Sequence, residues 1–100
     1  MSGIVPSFKV RSSARELGQN LANMRKLQRF TAQQVADRAG ISRGTLRRLE
    51  AGETTVGFEA VLSVCRVVGL LDQMVSATDP LRTPLGQAIA LDQLPKRVRR

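Results

Sequence analysis

The sequence predicts an all-α fold of five helices in one domain, and three observations carry that expectation. Of 100 residues 42% are hydrophobic, yet the only aromatics are Phe8, Phe30 and Phe58. The core must therefore come from Leu, Val, Ile, Ala and Met, a set that suits packed helices better than sheets. Apolar residues recur three and four apart, the period of a helix with one face inward. Ser or Thr followed three residues later by Glu or Gln opens two of these runs, the spacing of a reciprocal N-terminal cap. A chain of this length buries about two-thirds of the surface its unfolded form exposes, which supports one modest core and not a second domain.

The elements follow in order. Residues 1–12 combine Gly3, Pro6 and several serines without a clear period and read as a flexible or briefly extended arm. Ser13 and Glu16 have capping-box spacing, and Leu17, Leu21 and Met24 form a stripe flanked by Ala14 and Leu27, which predicts a first helix from about Ala14 to Gln28. Thr31 and Gln34 repeat the box before a second helix with Val35, Ala36 and Ala39 inward, and Gly40 supplies its left-handed stop. Ile41 is expected as a buried plug and Ser42 as the cap of a third helix, Arg43 to Ala51, which turns Leu46 and Leu49 inward and closes at Gly52. Phe58, Val61, Leu62, Cys65 and Val68 predict a fourth helix from Phe58 to Val68, with Gly57 at its cap and Gly69 beyond its end. Leu70, Leu71, Met74 and Val75 predict a fifth to about Ala77. The domain spans 13–78, and a Pro-broken basic tail, 79–100, follows, where Pro84 can open a short helix.

The formal charge is +8, unevenly placed. Residues 1–52 hold ten Lys/Arg against three acids, residues 53–81 one against four, and residues 82–100 five against one. Two cationic regions around an acidic, apolar middle point to a polyanionic partner. Cys65 is the single cysteine and histidine is absent, so neither a disulfide framework nor a cysteine-based metal site is expected, and a reduced, cytoplasmic setting is implied. No apolar run approaches the roughly 18 residues needed to span a bilayer. With no His and few carboxylates spread over short helices, no acid–base pair is in frame, and the expectation is a non-enzyme without cofactor or metal.

The informative unit is Thr31 to Gly52: cap, short helix, small residue at Ala36, Gly40-Ile41, second cap, then a helix with Arg43, Gly44, Arg47 and Arg48 outward. Two short helices joined by a turn of three or four residues meet at a sharp angle and present the second to the DNA major groove, which is wide enough to admit it. The Arg fork matches the O6 and N7 edge of guanine, so Arg43 and Arg48, with Gly44 letting the backbone approach, are the expected base contacts. Thr45 and Arg47, joined by Arg29 and Gln33 near helix ends, are the expected phosphate contacts.

These residues resemble the Xre-type helix-turn-helix family that includes the lambdoid phage repressors. The matching positions are Leu21, Arg25, Thr31, Val35-Ala36, Ala39 to Ser42, Thr45-Leu46, Leu49 to Gly52, Phe58 to Leu62 and Gly69-Leu70, over about residues 14–77. The resemblance implies a lambda-repressor-like domain, a buried ion pair between Arg25 and Glu50, and a homodimer on an inverted-repeat operator in double-stranded DNA. Val64, Val67, Leu71 and Val75 are the candidates for the dimer interface. One departure stands out: Ala32 occupies the position after the second-helix cap where many such repressors carry a Gln that braces the first recognition residue, so here the brace is absent or supplied by Gln33.

Thr45 to Gly52, Gly69 to Leu71 and the ending Leu94 to Arg100 resemble, more narrowly, HipB-like antitoxins. That implies an autorepressor that binds a HipA-like kinase toxin. The alternatives are a stand-alone phage or plasmid repressor with the same DNA chemistry and a protein-interaction module that does not bind DNA. A neighbouring HipA-like reading frame separates the first two, and the arginines of the third helix count against the last.

Overall fold

The computed structural model describes Val5 and residues 7–93, the last three in backbone only. Residues 1–4 and Pro6 of the expected arm, and the basic end 94–100, lie outside the described residues. Among those described there are six α-helices, one 3-10 turn and no strand: α1 Phe8–Leu27, α2 Ala32–Ala39, α3 Arg43–Glu50, α4 Phe58–Val67, α5 Leu71–Ala77, the 3-10 turn Pro80–Arg82 and α6 Pro84–Gln93. They form two compact units divided between Gly69 and Leu70.

The first unit holds α1 to α4. Its core is Leu21 and Ala22 of α1, Val35 and Ala36 of α2, Leu46 and Leu49 of α3, and Val64, Cys65 and Val68 in and just after α4. Helix α1 packs on α3, and α2 on α3 and α4. Helices of eight residues such as α2 and α3 fall well below the roughly 12–15 at which an isolated helix is even marginal, so caps and packing must hold them. Thr31 and Gln34 form the full capping box on α2, with both reciprocal hydrogen bonds at 2.9 and 3.0 Å.

Five expectations for this unit are corrected. Helix α1 begins at Phe8 rather than Ala14, because the Ser7 side chain accepts from Val10 N at 3.1 Å. The Ser13–Glu16 spacing lies inside the helix, and five residues assigned to the arm are helical. The buried face of α1 is Gly18, Leu21 and Ala22, and Leu17, expected inside, is 56% exposed. The face is rotated because α1 meets α3 backbone to backbone: a Cβ added at Gly18 would stand 2.6 Å from Leu49 O, and one at Gly52 would stand 2.5 Å from Arg15 Cα. Phe58, placed in the inward stripe of α4, is exposed, and the Ile41 plug is half-buried. Val64, a candidate for the dimer interface, is 1% exposed within the single chain, so its surface is already used; of the other candidates Val67 and Leu71 are half-buried and Val75 is exposed.

Arg25 of α1 and Glu50 of α3 form a two-pronged ion pair, Nε to Oε2 at 2.8 Å and Nη2 to Oε1 at 3.0 Å, while Nη1 donates to Phe30 O at 3.2 Å. The two side chains are 12% and 15% exposed. Hydrogen bonding to Glu50 pushes the Arg25 pKa up, against the opposing cost of burial. Gln28 Nε2 donates to Val68 O at 2.9 Å and ties the end of α1 to the end of α4. Burial pushes the Cys65 thiol above its ordinary pKa, which suits a packing role and not a reactive one.

The second unit, α5, the 3-10 turn and α6, is held by polar contacts of its own. Asp79 accepts from Leu81 N at 2.9 Å, Arg82 donates to Ser76 Oγ at 2.8 Å and Gln87 to Leu81 O at 2.7 Å. Thr83 Oγ1 accepts from Gly86 N at 2.9 Å, and Pro84 takes the first turn of α6, where a missing N–H costs nothing. This sixth helix extends the five expected.

Two substitutions check the α1–α3 junction. Glu50→Ala leaves the Arg25 guanidinium half-enclosed without its partner and should cost about 2–4 kcal/mol, near the lower side of what stranding one member of a buried pair costs. Gly18→Ala gains helix propensity of about 1 kcal/mol but forces the two backbones apart, so it should destabilise on balance by about 1–3 kcal/mol. Thermal and urea unfolding followed by circular dichroism measure both, and an unchanged midpoint for either contradicts the packing described.

Candidate nucleic-acid interface

The turn between α2 and α3 is set by three consecutive residues. Gly40 has φ 72° and ends α2, a conformation in which any Cβ is strained. Ile41 N returns to Ala36 O at 3.0 Å, and the Ser42 side chain caps α3 by accepting from Thr45 N at 3.0 Å. Ala36 and Val35 are fully enclosed, which lets the two short helices cross closely. With Leu46 and Leu49 turned into the core, Arg43, Arg47 and Arg48 are exposed, and Gly44 and Thr45 lie half-buried among them. The single acid of α3, Glu50, is occupied by Arg25, so the outward face of the helix carries positive charge alone.

Neighbouring side chains hold two of these arginines. Arg43 Nη1 donates to Gln33 Oε1 at 3.4 Å, and Gln33 Nε2 donates to Asp37 Oδ1 at 2.7 Å. The brace that Ala32 cannot give thus comes from Gln33, one residue further along α2. Arg48 Nη2 donates to Thr45 Oγ1 at 3.3 Å, and Ser42 Oγ donates to the same oxygen at 3.0 Å. With both its lone pairs used, the Thr45 hydroxyl keeps its O–H for an external acceptor such as phosphate. Of the residues picked from sequence, the structure brings together Gln33 with Arg43, Thr45 with Arg48, and Arg25 with Glu50. Arg47 projects from the exposed face of α3, and Arg29 stands apart in the turn between α1 and α2. Asp37 is an addition to the residues expected from sequence, and its position four residues after Gln33 on one helix face is a readable signal.

Arg29 has φ 62°, the single positive value at a non-glycine among the described residues. It sits just past the end of α1, where Phe30 N donates to Arg25 O at 3.0 Å and Arg29 N to Lys26 O at 2.9 Å. That pair of bonds is the Schellman arrangement, whose left-handed position is usually glycine. The following Phe30 ring lies under the Arg38 guanidinium, 4.6 Å from its centroid, and Arg66 caps the far end of α2 through Arg38 O at 3.3 Å.

A family model described as a helix-turn-helix domain matches residues 16–77, which include α2, the Gly40 turn and α3. The chain belongs to the helix-turn-helix domain family. Comparison with curated proteins and with solved structures returned no match. Membership supports DNA binding and regulation, and domains of this family are typically not enzymes. Among the described residues of this helix-turn-helix protein, no single helix is long and apolar enough to cross a membrane.

Arg29 allows a test that separates stability from binding. A left-handed non-glycine residue costs about 1–2 kcal/mol in backbone strain, part of which glycine would return as unfolded-state entropy. Arg29→Gly should therefore raise stability by about 0.5–1 kcal/mol while weakening DNA binding and lowering its salt dependence. Melting curves and binding isotherms at several salt concentrations measure the two effects, and unweakened binding removes Arg29 from the phosphate contacts.

Proposed function

We propose that this helix-turn-helix protein is a sequence-specific transcriptional repressor whose α3 enters the major groove. One observation carries the reading: a short, capped helix, locked to α1 and α2, offers three exposed arginines with its one carboxylate neutralised. Arg43 and Arg48 read guanine edges beside Gly44, and Thr45, Arg47, Arg29 and Gln33 meet phosphates. Gln33 combines that contact with its hold on Arg43. A single reading helix covers few base pairs, so the protein acts as a homodimer on an inverted repeat with half-sites about one DNA turn apart. Val67, Leu71 and Val75 are the interface candidates that remain.

The base-reading and phosphate roles differ measurably. In a randomised operator library, Arg43→Ala and Arg48→Ala should each flatten preference at one base pair per half-site by about 1–3 kcal/mol. Arg47→Ala should weaken all sequences alike and lower the slope of log affinity against log salt by about 1. Equal losses across the library for all three variants would leave phosphate neutralisation as their whole role.

Within this function we infer a HipB-like antitoxin that represses its own operon and binds a HipA-like kinase toxin. The support is the resemblance at Thr45 to Gly52 and Gly69 to Leu71. Co-expression with the product of an adjacent kinase-fold reading frame should restore growth and yield a stable complex. A locus without such a frame, combined with repression of its own promoter, favours the stand-alone repressor.

A further inference from the structure

We propose that Asp37 is a positioning residue for base recognition: through the Gln33 amide it fixes where the Arg43 guanidinium stands. The proposal rests on the reading of α3 as the helix that meets bases, and it deepens that reading by naming what sets its specificity.

The chemistry of the three groups gives the chain of contacts a direction. An ionised carboxylate only accepts hydrogen bonds and a guanidinium only donates them. Gln33 lies between one of each, with its Nε2 2.7 Å from Asp37 Oδ1 and its Oε1 3.4 Å from Arg43 Nη1. A single orientation of the amide satisfies both neighbours; the flipped one would set carbonyl against carboxylate and NH2 against guanidinium. Asp37 and Arg43 therefore select the same orientation of Gln33, and the shorter bond to Asp37 holds the amide in place. The short bond is the one to the carboxylate and the long one is the one to the arginine, so the amide is anchored on α2 and the arginine is free to shorten its contact or to turn toward a base.

The position of the acid also needs an explanation. Asp37 is exposed on α2, the helix that supports the reading helix, and among residues 1–52 the other acids are Glu16 on α1 and Glu50, which Arg25 neutralises. A free negative charge near the path of a phosphate backbone opposes DNA binding at every sequence. Its removal therefore has two separable consequences: general affinity rises and discrimination falls. A residue that acts only by supporting the fold would lower both together.

The experiment uses the full chain and a library of DNA duplexes randomised over the preferred site, with wild type, Arg43→Ala, Asp37→Ala, Asp37→Asn, Gln33→Ala and the Asp37→Ala/Gln33→Ala double variant. Both side chains are exposed, so unchanged melting temperatures are expected and are checked first. Asp37→Ala and Gln33→Ala should each lower discrimination by about three- to tenfold, part of what one guanine contact supplies, and at the base pair where Arg43→Ala acts. Affinity for mixed-sequence DNA at low salt should rise for Asp37→Ala. The double variant should lose no more than either single one, because the two act in series. Asp37→Asn, which keeps the acceptor oxygen and drops the charge, should restore most of the discrimination while retaining the raised general affinity.

Three results overturn the proposal: an Asp37→Ala profile identical to wild type, a loss that falls equally on all sequences, or losses from the two single variants that add in the double one. If Arg43→Ala itself leaves the profile unchanged, base reading by Arg43 is wrong and the proposal falls with it. If Arg43→Ala flattens the profile and Asp37→Ala does not, the base reading stands and the role of Asp37 alone is rejected.

Discussion

The arrangement of the first unit depends on the fork between Arg25 and Glu50. Nε and Nη2 reach the two carboxylate oxygens, and Nη1 reaches Phe30 O at the entrance to α2. One planar group thus joins α1, the turn that begins the helix-turn-helix and the carboxyl end of α3. The cost is the desolvation of two charges, offset here by three charge-assisted hydrogen bonds with good geometry. Lysine, a point charge with no fixed fork, could not set three directions at once. The fork also removes Glu50 as a source of negative potential on α3, so the same contact that positions the helix determines the sign of its exposed face.

Around that fork, short helices are held by contacts that leave no slack. α3 has eight residues and lacks the length to be stable alone. Ser42 satisfies an N–H at one end, the Gly18–Gly52 approach fixes the other against the backbone of α1, and Leu46 with Leu49 supplies the buried side. The outward residues are consequently unconstrained by packing. Their identities are available for chemistry, and they carry arginine where the inward ones carry leucine.

What was legible in the sequence follows from how local each signal is. The capping box at Thr31, the left-handed stop at Gly40, the cap at Ser42 and the inward pair Leu46 and Leu49 depend on residues within four positions of one another, and the structure has all of them. The Arg25–Glu50 contact spans 25 positions, and only the family resemblance pointed to it. The start of α1 is not legible because Phe8 to Ser12 lie on a helix whose faces are largely exposed there, leaving no apolar period to read. Leu17, at helical spacing from Leu21, reads as core until a glycine, Gly18, brings another backbone onto the adjacent face. The contact of Gln33 with Arg43 joins two helices, and it depends on the angle of a turn that no spacing states.

The departures from local stability rules fall in one region. The core breaks none: no buried side-chain polar atom among the described residues is without a hydrogen-bond partner, and Gly40 and Gly52 occupy left-handed positions that suit them. Arg29 breaks the backbone rule, holding a positive φ where glycine would be easier, and Asp37 opposes the proposed function and not the fold, placing an acid next to a surface proposed to meet a polyanion. Both sit at or next to α2, the element from which α3 projects. Local sequence choices that disagree with local stability mark function more often than error, and here each has a partner or a reach that stability alone does not require. Arg29 puts a cation at the corner where α1 turns into α2, and Asp37 anchors an amide that faces Arg43, the first arginine of α3. The proposed DNA surface is therefore distinguished twice, by the charge it displays and, at Arg29, by the backbone strain accepted to place a cation there.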